Sequence, residues 1–176
     1  DYIPLDDGYY RLNPPLGNRE DVRAIRDGVR DGTLSLFATD HAPHAAETKS
    51  RGFLLAPFGV IGLETAIGVT WKVMVDEERM PLPQWVARWT LGPAALLRQA
   101  APTLASGALA DLVLIDAREP WRVRPDAFRS LSRNTPFAGW TLPARPVLTL
   151  CEGRITWQEG GHAGLPLRAG KPMSSP

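Results

Sequence analysis

Three consecutive patterns between residues 18 and 44 limit the fold of this chain more than any other feature: an amphipathic helix, a short apolar run and a polar loop. Asn18 stands before Arg19-Glu20-Asp21, an N-cap with acids in the first turn. Val22, Ile25 and Val29 recur at helical spacing, Arg23, Arg26, Asp27 and Arg30 fill the opposite face, and Gly32 supplies a left-handed stop. Leu34-Ser35-Leu36-Phe37-Ala38-Thr39 then has the length and apolarity of a buried strand, and Asp40 opens a loop at its carboxyl end. Helix, strand and loop in this order select an α/β fold, in which ligands gather where strands end. At 176 residues the chain is too short for a complete (β/α)₈ barrel, which needs about 250.

The remaining sequence divides in two. Leu12-Asn13-Pro14-Pro15 halts regular structure ahead of the first helix. The loop from Asp40 to about Pro57 exceeds the roughly 12–15 residues beyond which an unstructured connection is usually functional or disordered. Val60, Leu63, Ile67, Thr70 and Met74 predict a helix over 59–75, and two shorter helices are expected over 82–90 and 92–99, parted by Gly92-Pro93. After Pro102 the texture changes to short strands, 110–116 and 147–151, the second turning through Glu152-Gly153 into Arg154-Ile155-Thr156-Trp157. The expected organisation is an α/β part over 1–102, a small β-rich domain over 103–160 and a flexible tail over 161–176 that includes His162. With 16 Gly and 17 Pro, against an average of about 12% for the pair, the chain is rich in turns.

Composition narrows the function. A net charge of +1, with basic and acidic residues interspersed, does not provide the field that a nucleic acid demands. The most apolar stretch, 58–75, contains Glu64 and Lys72, so no membrane span is expected. Cys151 is the single cysteine, which excludes an intrachain disulfide and fits a reducing compartment. No charged-then-apolar leader follows Asp1, and the expected location is cytoplasmic.

Two of the three histidines fall in Asp40-His41-Ala42-Pro43-His44. A carboxylate and two imidazoles at the mouth of a strand suit metal ligation or general acid–base work; an Asp capping the loop beside two solvated histidines is the alternative. A metal needs three or four protein ligands, and alternate residues point apart, so this segment would form only part of a site.

Ala38-Thr39-Asp40-His41-Ala42-Pro43-His44, followed after four intervening residues by Lys49, resembles the C-terminal signature of dihydroorotases, which are cyclic amidohydrolases. Asn13-Pro14-Pro15-Leu16, the run from Ala56-Pro57-Phe58-Gly59 to Glu64-Thr65, Ala110-Asp111-Leu112-Val113, and Asn134-Thr135-Pro136-Phe137-Ala138-Gly139 resemble the same family in order and spacing. The resemblance implies the last strands and helices of a metal-dependent hydrolase TIM barrel followed by a small composite β domain, with the enzyme's N-terminal segment sharing that small sheet. It implies interconversion of dihydroorotate and N-carbamoyl-aspartate, in pyrimidine biosynthesis, with two zinc ions. In the family, the residue matching Asp40 is both a zinc ligand and the group that takes the proton of the metal-activated water and passes it to the leaving nitrogen. His44 matches a histidine that holds the substrate carboxylate, Asn13 an amide that bonds the pyrimidine ring, and Phe58 and Gly59 a backbone loop that lines it. His41 has no catalytic role in this mapping and is expected to pack or to bond a loop.

This sequence departs from the pattern at Gly17, where many members carry a basic residue, and it contains no His-x-His pair. The resemblance places that pair, a bridging lysine and two further histidines upstream, so the chain alone is expected to be inactive. Partners consistent with it are the small substrate, a second copy, or an aspartate carbamoyltransferase. Two other expectations stay open: a non-catalytic relative that scaffolds such a transferase, and a hydantoinase- or allantoinase-type enzyme.

The other conspicuous residues are given structural roles. Lys49 is expected to be a solvated loop residue, and Glu64 to offset a helix dipole. Trp71, Trp85 and Trp89 are expected in the core, Cys151 inert within an apolar strand, and Arg145 and Arg154 exposed.

Overall fold

The computed structural model describes residues 6–160; the expected tail and His162 lie outside them. The first helix, α1 (Arg19–Asp31), forms as its caps dictate. Asn18 accepts from the N–H groups of Glu20 and Asp21 while Asp21 reaches back to Asn18 N, and Gly32 ends the helix at φ 97°. The carbonyl of Val29, near the end of α1, is taken by the Arg88 guanidinium at 2.9 and 3.1 Å.

The expected strand over 34–39 does not form. Among the described residues no strand runs beside it, so it has no ladder to join, and Phe37 N instead donates to Arg88 O at 3.0 Å. The long loop after it is not structureless either, since it contains the turn α2 (Ala46–Lys49).

The helix expected over 59–75 begins later, as α3 (Ala66–Thr70), and widens into π-helical turns over Trp71–Glu77. Its first seven expected residues are used otherwise: Gly59 sits at φ 98°, outside the right-handed region. α4 (Leu82–Trp89) matches expectation. α5 (Leu91–Leu96) contains Gly92-Pro93 within its first turn, and the break falls at Thr90, whose side chain bonds back to Val86 O.

The β part holds a three-stranded antiparallel sheet in the order β1 (Leu112–Asp116), β4 (Arg145–Cys151), β5 (Arg154–Gln158). A two-stranded ribbon, β2 (Trp121–Arg122) with β3 (Thr141–Leu142), lies beside it in sequence. Pro146 has no N–H to offer the ladder, and the β1–β4 register slips where Ile115 meets it. Glu152 (φ 50°) and Gly153 (φ 75°) both adopt left-handed conformations, as a two-residue hairpin with the sheet's twist requires.

Two apolar clusters tie these parts together. Val29, Met74, Met80 and Trp85 form one, against which Ile115 of β1 packs. Ile61, Val123, Phe128 and Leu142 form the other, joined by Val69 of α3. Gly68 is needed where α3 meets the β3–β4 turn, because a Cβ there would lie 2.8 Å from Ala144 O and 2.9 Å from Leu142.

Candidate functional site

The segment 40–44 and the segment 56–61 lie against each other, and most of the residues singled out in the sequence fall on one or the other. Ala42 N donates to Val60 O at 2.9 Å. Gly59 packs so close that a Cβ on it would be 2.6 Å from the Ala42 Cβ. His44 Nε2 donates to Phe58 O at 2.8 Å, since a carbonyl can only accept. His44, Phe58 and Gly59 are thus brought together. Phe58 is half-exposed at 51%, and the Arg11 guanidinium stands over its ring, 4.3 Å from the centroid.

Asp40 opens the segment with φ 43°, a left-handed conformation that Asp tolerates better than most residues. It is exposed, and among the described residues no hydrogen bond or ion pair engages its carboxylate. His41 turns the other way. Its Nδ1 accepts from Gly62 N at 3.2 Å and Leu63 N at 3.3 Å, the loop hydrogen bonds expected of a structural histidine. Asn13 is exposed on the stretch that follows Arg11, and its side chain bonds to none of the other candidates. That stretch is joined to the site through Arg11, whose carbonyl accepts from Gly59 N at 2.9 Å. The Arg11 guanidinium donates to Ala56 O at 2.6 Å and to Leu54 O.

Several residues depart from their expected roles. Lys49 is not solvated but fully buried, at 0% exposure, and its Nζ donates to Pro57 O at 3.0 Å and Gly59 O at 2.9 Å. Burial holds its pKa below the ordinary lysine value; Asp7 opposes that shift and Arg11 reinforces it. Glu64 does not serve the helix dipole. Its carboxylate accepts from Arg129 N at 2.9 Å and Ser130 N at 3.0 Å, tying the loop between the ribbon's two strands to the front of α3. Cys151 is exposed because it ends β4, and Arg145 is half-buried against Glu159 at 3.1 Å.

Asn134 was missed in the sequence although it heads the run Asn134–Gly139. It is 1% exposed; its Oδ1 accepts from His44 N at 3.2 Å, and its Nδ2 donates to Ala42 O at 2.9 Å and Gly59 O at 3.4 Å. Its own carbonyl accepts from Ile61 N. A carboxamide can serve both sides of such a seam, donating through its nitrogen and accepting through its oxygen at once.

The model of the amidohydrolase family matches residues 24–157. The chain belongs to that family. It is 43% identical over 158 residues to a dihydroorotase of Anoxybacillus flavithermus, a match that covers 90% of this chain and 37% of the relative. It is 45% identical over 152 residues to a dihydroorotase of Syntrophotalea carbinolica, covering 86% and 36%. Among solved structures it resembles an L-hydantoinase (dihydropyrimidinase) from Arthrobacter aurescens, with a TM-score of 0.80 and 27% identity over 90% of this chain and 36% of that one. The chain thus spans a little over a third of the length of the amidohydrolases it matches. Among the described residues no three His, Cys, Asp or Glu side chains lie close enough to hold a metal ion. Among the described residues Asp40 offers an unengaged carboxylate, whose chemistry suits one ligand of a larger set.

Proposed function

We propose that the protein carrying this chain hydrolyses, and in reverse closes, a cyclic amide, interconverting dihydroorotate and N-carbamoyl-aspartate. One observation carries the reading: the unengaged carboxylate of Asp40 rides on the same pinned segment as His44, next to the Phe58-Gly59 backbone. Identity of 43% to a dihydroorotase over 90% of the chain supports the same substrate.

Two zinc ions belong to this proposal, with Asp40 as one ligand and the rest supplied by the longer protein. When bound, the metal makes water a nucleophile near neutral pH. Asp40 receives one proton of the attacking water and returns it to the ring nitrogen as the carbon–nitrogen bond breaks. The water oxygen stays on the carbonyl carbon, and the new carboxylic acid ionises. His44 and Asn13 hold the substrate's carboxylate and ring, and the Phe58-Gly59 loop lines the ring. A cytoplasmic setting, and assembly with a second copy or an aspartate carbamoyltransferase, complete the proposal.

The test is turnover of dihydroorotate by the full-length protein and its Asp40→Asn variant. The expected loss is about 10²–10⁴-fold, the usual worth of a positioned proton carrier; an Asp40→Asn enzyme as fast as its parent would remove Asp40 from this role. The likeness to a hydantoinase structure favours a second reading, a different cyclic amide. Faster turnover of hydantoin than of dihydroorotate would select it.

A further inference from the structure

We infer that Lys49 and Asn134 are positioning residues, which grip the Gly59 carbonyl from two sides and so hold the Phe58-Gly59 backbone in the conformation that receives the substrate ring. The inference rests on the proposed function, in which that backbone lines the ring.

A lysine with no exposed surface needs a reason, because its ammonium loses hydration and burial depresses its pKa. No carboxylate lies within ion-pair distance of its Nζ among the described residues. Its donors go instead to two carbonyls of one loop, Pro57 O and Gly59 O. That arrangement does not serve α2, the short turn on which Lys49 sits, since the carbonyls belong to residues 8 and 10 positions further on. It fixes the loop on either side of Phe58.

Asn134 meets the same carbonyl from the β part, 75 residues away in sequence, and also binds both backbone groups of the facing segment through Ala42 O and His44 N. Phe58 O, between the two gripped carbonyls, is taken by His44. All three carbonyls of 57–59 are therefore turned towards protein donors, and Gly59 N is held by Arg11 O, so the loop is fixed along both edges and the half-exposed Phe58 ring is left to face a ligand. Neither Lys49 nor Asn134 is assigned a contact with the substrate. Their effect runs through the loop.

The experiment uses the full-length, metal-loaded enzyme with dihydroorotate, comparing Lys49→Met and Asn134→Asp with the parent. Lys49→Met keeps the aliphatic stem and removes both donors; Asn134→Asp keeps the acceptor for His44 N and removes the donor to Gly59 O. Loss of loop positioning weakens ground and transition states alike, so KM should rise at least about tenfold while kcat falls far less. A residue that only stabilises the fold gives the opposite pattern, a lower kcat from a smaller folded fraction with KM unchanged. That pattern in both variants overturns the inference, as does failure of both to be recovered folded. An inactive parent overturns the proposed function and this inference together, whereas an active parent with variants of unaltered KM overturns this inference alone.

Discussion

Gly59 meets two independent demands. Its φ of 98° lies where side-chain-bearing residues are strained, and its missing Cβ leaves room for Ala42 on the facing segment. Gly59→Ala should therefore cost about 1–3 kcal/mol, seen as a lower melting temperature, and should part the 40–44 segment from the loop. An unchanged melting temperature would show that the loop has a second conformation open to it. Residues of this kind were legible in the sequence as motif positions, and Asp40, His44, Phe58 and Gly59 do fall on two facing segments. The burial of Lys49 was not, because a lysine's identity favours solvent, and only the carbonyls of residues 57 and 59 reveal why it is buried. Asn134 was hidden for a related reason: its partners lie 75 to 92 residues away.

At the scale of elements, Thr70 organises the junction of α3 and α4. Its hydroxyl donates to Ala66 O at 2.8 Å and accepts from the indole N–H groups of Trp85 at 3.2 Å and Trp89 at 3.3 Å. Trp85 is buried and stacks edge-on against Trp71, 5.1 Å between ring centroids. Thr70→Val keeps the shape but strands two indole donors, one of them deep in the core. Its expected cost is about 1–3 kcal/mol, measured by urea unfolding; a midpoint equal to the parent's would mean that both indoles find other acceptors. Local codes were read well where they are self-contained. The α1 caps and the Glu152-Gly153 hairpin need only neighbours in sequence, and both form as expected. The apolar run 34–39 did not become a strand, because a strand is a property of a pair and no partner lies beside it among the described residues. The helix over 59–75 started late because Gly59 packs on the facing segment and the N–H groups of Gly62 and Leu63 are committed to His41.

Across the whole molecule, Leu142 (0% exposed) and Val123 of the β part close over Ile61 and Val69, so the candidate loop is backed by residues distant from it in sequence. The same view limits what 176 residues can do alone. Asp40 is a single free carboxylate, and no cluster of three ligating side chains surrounds it among the described residues. The isolated chain should therefore retain well under one zinc per molecule after dialysis, assayed by metal analysis, and should not turn over dihydroorotate. Zinc bound at one ion per chain would mean that the chain completes a site by itself.

The sequence by itself determined the family, the helix caps, the hairpin and the location of Asp40 and His44 in one loop, because each depends on residue types at short fixed spacings. Only the tertiary structure decided that Lys49 is buried, that Asn134 reaches the site from the β part and that Glu64 serves a loop. Those outcomes depend on which backbone carbonyls and amides the fold leaves without partners, and burial makes an unpaired polar group too costly to leave so.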